Sequence, residues 1–148
     1  EKRHLMGYTE DGGDVRFRIG DFSVYAFHTT HSGKVYHNEP HMSLLIRNDR
    51  DAETILISGD AEYYPEEAER IRRETDRVDM IFIMIYELIE EGSLEFLKEL
   101  DPARILLYHC PKPEDDTYHL LSLIRQTLRH DPLPGRRIEM PEPQSWIR

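Results

Sequence analysis

The chain has 148 residues, with 29 acidic and 19 basic side chains and a formal charge of −10 when its histidines are neutral. That balance argues against a bare nucleic-acid binder. Apolar side chains make up 39% and charged ones 32%, which suits a soluble globular domain better than a disordered chain.

One domain spanning 1–148 is the expectation for this length. A chain of this size buries roughly 68–70% of its unfolded surface, enough for a core without disulfides or a structural metal. Cys110 is the single cysteine, so no intrachain disulfide forms and a reducing, cytoplasmic compartment is expected. The longest nearly uninterrupted apolar run, Met80 to Tyr86, falls far short of the ~20 residues of a spanning helix.

Val15 to Ile19 alternates polar with apolar, and Phe22 to Phe27 alternates again after Gly20-Asp21, which predicts a hairpin. Thr29 to Pro40 carries Gly33, Asn38 and Pro40 and reads as a loop. His41 to Arg47 and Thr54 to Ser58 form a second strand pair across a turn-rich connection. After Gly59 the pattern changes to alternating helices and strands. Pro65-Glu66-Glu67 has the proline and acids of a first helical turn. Met80 to Tyr86 is apolar at every other position and between, as a strand buried on both faces would be. A helix over Glu91 to Leu100 is stopped by Asp101-Pro102, and Arg104 to His109 is the next strand. A long helix follows from about Glu114 to His130, then a short strand near Arg137 to Met140 within a proline-rich tail, 131–148. The fold class is α/β, antiparallel in its first half and doubly layered in its second.

Eight histidines is a high count for this length, and three polar residues fall at predicted strand ends. His31 follows the apolar run that ends in Phe27, Asp60 closes Ile55-Leu56-Ile57-Ser58-Gly59-Asp60, and His109 closes Ile105-Leu106-Leu107-Tyr108-His109. Strand C-termini of layered α/β folds converge on one edge, where ligands bind. Two imidazoles and a carboxylate gathered there have the donor set of a divalent metal site. His28, His37 and His41 are candidates to support such a site or touch substrate. Cys110 reads as a packed side chain, Glu87, Glu90 and Glu91 as a solvated face, and Tyr63 and Tyr64 as either cleft lining or packing.

Taken in order, Thr30-His31-Ser32-Gly33, Ile57-Ser58-Gly59-Asp60 and Leu107-Tyr108-His109 resemble the last three metal-binding motifs of the metallo-β-lactamase-fold hydrolases. The resemblance covers about Phe17 to Leu128 and implies the C-terminal half of an αββα sandwich. It further implies His31 as a histidine ligand of a first metal, Asp60 as the bridging carboxylate and His109 as the last ligand of a second. The ions would be two zincs, with manganese or iron as alternatives, activating hydroxide against a small-molecule substrate. The family's His-x-His-x-Asp-His signature does not occur in these residues. The chain therefore reads either as the C-terminal part of a longer metal-dependent hydrolase, inactive alone, or as a non-catalytic α/β module that dimerises or binds a partner. In both readings half a sandwich leaves an apolar sheet face, made by alternate residues of Phe22 to Phe27, His41 to Arg47 and Thr54 to Ser58, to be covered by a second copy or by a missing N-terminal half. Neither membrane nor nucleic acid is an expected partner.

Overall fold

The computed structural model describes residues 13–140. Val15–Ile19 (β1) and Phe22–His31 (β2) form the expected antiparallel hairpin, turning at Gly20 with φ of 58°, a left-handed value that a side chain would resist. β2 continues through Thr29, Thr30 and His31, where the sequence predicts loop. These residues find partners on both flanks: Thr29 pairs with His41, and Thr30 and His31 pair with Glu62 and Ala61. His41–Asn48 (β3) and Thr54–Ile57 (β4) are the second antiparallel pair. Ala61–Glu62 is a short β5.

From there strands and helices alternate: Pro65–Arg72 (α1), Met80–Met84 (β6), Glu91–Leu100 (α2), Arg104–Tyr108 (β7), Leu120–Arg129 (α3) and Arg137–Glu139 (β8). Three expected boundaries move. The β6 strand stops at Met84, and Ile85–Leu88 turns as a 3-10 helix. The last helix begins at Leu120 instead of about Glu114, because the Asp116 carboxylate accepts the Leu120 and Leu121 amides and so fixes the first turn there. Asp60 does not end a long strand; β4 ends at Ile57, and Gly59, at φ 57°, redirects the chain before β5. Of the predicted tail 131–148, the part from 141 on lies outside the described residues.

The eight strands form one mixed sheet in the order β1-β2-β3-β4-β6-β7-β8, with β5 paired to β2. β4, β6, β7 and β8 run parallel and lie side by side in chain order. Crossovers between parallel strands are right-handed, so crossovers that always step in the same direction deliver every helix to the same face. The core shows the outcome: Phe27, Leu45, Leu56, Ile81, Ile83, Ile105 and Leu107 of the sheet share one buried cluster with Ala68 and Ile71 of α1, Phe96 and Leu97 of α2, and Leu121 and Ile124 of α3.

The alternate residues of the same strands point away from that cluster. Strand register aligns them in two rungs, Phe17-Val24-Ile46-Ile55-Met80 and Val15-Ala26-Leu44-Ile57-Phe82-Leu106. None of these belongs to the core cluster or packs against it. Ile19 and Phe22, on the same side at the hairpin end, are 61% and 46% exposed. The expectation that β6 is buried on both faces holds only in part. Ile81 and Ile83 are enclosed under the helices, whereas on the other side Met84 is buried and Met80 and Phe82 are only half-buried. Among the described residues the architecture is thus one eight-stranded sheet with one helical layer.

Glu87 also departs from expectation. In place of a solvated acid the 3-10 helix carries a carboxyl that is 3% exposed and accepts the Ser93 hydroxyl. Burial, aided by the charges of Glu62 and Glu90, pushes its pKa up to about 7, which the Ser93 bond only partly offsets.

Candidate functional site

The sheet edge where β2 ends holds the histidines that the sequence singles out. The Ser32 amide donates to the Asp60 carbonyl at 2.7 Å and His31 pairs with Ala61, so the two predicted ligand segments are adjacent. His41, at the start of β3, stands edge-on to His31 with ring centroids 5.4 Å apart, and Tyr36 lies 5.2 Å from His31 on another side. His109 follows β7 in a left-handed conformation, φ 56°, and its Nδ1 lies 3.5 Å from Asp60 Oδ1.

Proximity along the edge does not become convergence. The His31 ring donates from Nδ1 to the neighbouring Ser32 carbonyl at 2.7 Å and spends its faces on Tyr36 and His41. Asp60 and His109 meet as a pair. Among the described residues no group of three or more His, Cys, Asp or Glu side chains is disposed to hold a metal ion. The expectation of a zinc, manganese or iron centre held by His31, Asp60 and His109, and with it the zinc-hydrolase assignment, is therefore corrected: the donors split into a His31–His41 contact and an Asp60–His109 pair. A metal needs several donors aimed at one point, and backbone adjacency alone does not supply that.

The remaining candidates are tied elsewhere. His37 Nε2 reaches Glu62 Oε2 at 3.0 Å, and Tyr64 donates to the other oxygen of the same carboxylate at 2.6 Å, which pushes the Tyr64 phenol up to about 12. His28 lies on the opposite face from Phe27, and its backbone is held by Asp14 and Arg70. His41 Nδ1 shares a hydrogen bond with Thr29 Oγ1 at 2.7 Å. Burial, and then the nearby His31, lowers the His41 pKa against the pull of Asp60.

Sequence reasoning missed the residues that shape this edge. Tyr108 donates its hydroxyl to the Gly59 carbonyl, Ser58 Oγ donates to the same oxygen at 2.7 Å, and the two hydroxyls lie 3.1 Å apart. Desolvation raises the Tyr108 phenol to about 12, so it stays a donor. A Cβ on Gly59 would stand 2.7 Å from His41 Nε2, so the glycine makes room for that imidazole as well as supplying a positive φ. The adjacent Ser58-Gly59 pair was the one sequence signal for this arrangement. Tyr63 resolves as packing: it is buried, stacks on Phe96 at 4.3 Å and donates to Ser43 Oγ at 2.7 Å. Cys110 is half-buried beside the core, as expected, and burial raises its thiol pKa.

No family model matches the sequence, and no curated protein does. Solved structures match the fold. The diiron β-hydroxylase CmlA from Streptomyces venezuelae is 15% identical with a TM-score of 0.64, over 86% of this chain and 32% of that one. Unliganded yeast PDE1 is 15% identical with a TM-score of 0.60, over 88% of this chain and 47% of that one. Igni18, a metallo hydrolase from Ignicoccus hospitalis, is 13% identical with a TM-score of 0.50, over 87% and 55%. At such identities the likeness is one of fold, distantly shared with several metal-related hydrolases and oxidases. This chain spans between about a third and a half of the length of those proteins. No described helix is long and apolar enough to cross a membrane.

Proposed function

We propose that this chain is a non-catalytic assembly module, one sheet and one helical layer of an αββα-type sandwich, which completes itself by packing its open sheet face against a second copy of the same chain. Residues 1–148 act in this reading as a single domain. The observation that carries it is the pair of apolar rungs running from β1 to β6 and β7 outside the core cluster.

With strands about 4.8 Å apart and a rise of roughly 3.3 Å per residue, each outward position takes about 32 Å², so the two rungs with Ile19 and Phe22 project roughly 400 Å². Val24, Ala26 and Leu106 within this face are already buried, and the half-buried remainder is of the size of the largest apolar patch on an ordinary monomer, which often marks an interaction site. Two such faces bury at most about 800 Å², the size of a weak or transient interface. Aligned packing of twisted sheets at about 10 Å separation is the geometry available to them. The formal charge of −10 does not oppose this. The two rungs carry no ionisable residue, and the charges at their ends, Arg104 beside Met80 and Glu139 beside Leu106, pair with each other at 2.8 Å. A two-fold-related copy therefore meets no like charge at the centre. The fold likeness is to part of longer chains, which agrees with a unit that packs against further structure. His31, Asp60 and His109, with His28, His37 and His41, serve here as polar rim at the strand ends.

Sedimentation analysis of the chain tests this. The expected species has twice the 17.6 kDa chain mass. Ile46→Lys with Ile57→Lys, each placing a charge at the centre of the face, should return it to the single mass without lowering its helix content. A wild-type chain that sediments as a monomer and does not bind an apolar dye would overturn the proposal.

A further inference from the structure

At the end of the sheet away from the histidines, the helix-bearing face extends past α1. Two successive rungs, Arg16-Tyr25-Leu45 and Arg18-Ser23-Arg47-Thr54, lie there side by side. With Asp49 and Glu74 they line a groove of about 390 Å³. That volume is in the range of small-molecule sites.

The charges in the groove are unequally satisfied. Arg16 reaches Glu74 through two nitrogens, at 2.5 and 3.2 Å, and lies 4.3 Å over the Tyr25 ring. Arg18 reaches Asp49 at 2.5 Å, and the Ser23 hydroxyl donates to the same carboxylate at 2.9 Å. Arg47 sits in register between Ser23 and Thr54, is exposed, and has no ion-pair partner among the described residues. Three guanidiniums thus face two carboxylates, a local excess of one positive charge in a chain whose formal charge is −10. Leu45 lines the groove beside that excess, while the Tyr25 ring is taken up by Arg16 at 4.3 Å and by the stacked Phe27 ring at 5.0 Å.

From this juxtaposition we infer that the groove binds a small organic monocarboxylate, its carboxylate forked onto the Arg47 guanidinium and its apolar body along the groove beside Leu45. Arginine presents paired N–H donors that match the two oxygens of a carboxylate. One negative charge neutralises the local excess. The second charge of a phosphate monoester would instead be set against Asp49 and Glu74. The groove's charged strand residues alternate with the rungs proposed to pack, although Phe17 and Val24 also line it, so the titration is repeated on the Ile46→Lys, Ile57→Lys chain to separate it from assembly.

Benzoate, phenyl phosphate and benzyl alcohol, titrated into the isotope-labelled full chain and followed by NMR, separate the charge requirements. Saturable shifts at Ser23, Arg47 and Thr54 are expected with benzoate, weaker ones with phenyl phosphate and none with benzyl alcohol. Arg47→Gln, a change at an exposed strand position, should weaken benzoate binding by at least about tenfold. Arg47→Lys, which keeps the charge without the fork, should fall between. Asp49→Asn should tighten binding, a gain that a damaged fold does not produce. Benzoate shifts that fail to saturate or that survive Arg47→Gln unchanged overturn the inference. So does tighter binding of phenyl phosphate, or equal binding of benzyl alcohol.

Discussion

Replacing Glu87 by glutamine should stabilise the protein at alkaline pH and leave it nearly unchanged in acid. The carboxyl lies under α2 and is 3% exposed, with Ser93 donating to it and the carboxylates of Glu62 and Glu90 close enough to oppose its ionisation. Desolvation raises its pKa from 4.5 to about 7, so the folded state keeps a proton that the unfolded state has released between those values. The folded state then binds more protons, and stability falls as pH rises through that window. Below about 4.5 the full contribution is present, and above about 7 it has gone. The gap corresponds to about 3 kcal/mol at 1.36 kcal/mol per pKa unit. Glutamine is neutral at every pH and still offers Ser93 an oxygen, so it escapes the loss. At roughly 3–4 °C per kcal/mol for a domain of this size, the variant should melt about 10 °C above wild type near pH 8 and within about 2 °C near pH 4.5. Calorimetry at fixed protein concentration reads the difference, because association also shifts the melting temperature. A gap between variant and wild type that does not change with pH refutes the argument, since the carboxyl would then not be the titrating group.

Three further changes probe the scaffold. Gly59→Ala forces a Cβ into a left-handed backbone, φ 57°, and toward His41 Nε2 at 2.7 Å, so a loss of at least about 1–2 kcal/mol in urea unfolding is expected. Arg70→Met removes the guanidinium that donates to Asp14, to Tyr25 at 3.2 Å and to the His28 carbonyl at 2.9 Å while lying 5.0 Å over Phe27. Stripping those partners should cost about 2–3 kcal/mol, read as a lower urea midpoint with an unchanged slope. Tyr63→Phe leaves the stack on Phe96 intact and removes only the bond to Ser43 at 2.7 Å, so about 1 kcal/mol is expected from thermal unfolding.

Local chemistry was legible wherever it is decided locally. Alternation in Val15 to Ile19, Phe22 to Phe27, His41 to Arg47 and Thr54 to Ser58 determines strands with one apolar side each, and the register confirms which side. Pro65 at the start of α1 and Asp101-Pro102 after α2 mark helix ends by what their backbones can adopt. The buried Glu87 was illegible, because nothing in a run of acids tells which carboxyl the fold encloses. The onset of α3 moved to Leu120 for a similar reason: Asp116 caps it through amides four and five residues on.

The sequence by itself determined most of the strands and helices and the apolar alternation of the sheet. Only the tertiary structure decided which face the helices take and whether the histidine-bearing strand ends form one site. The first follows from crossover handedness and the monotonic order β4-β6-β7-β8, properties of the whole sheet that no local pattern encodes. The second depends on side-chain direction. Strand pairing brings the His31 and Asp60 segments to the same edge, but His31 turns its ring to Ser32, Tyr36 and His41, and His109 meets Asp60 alone.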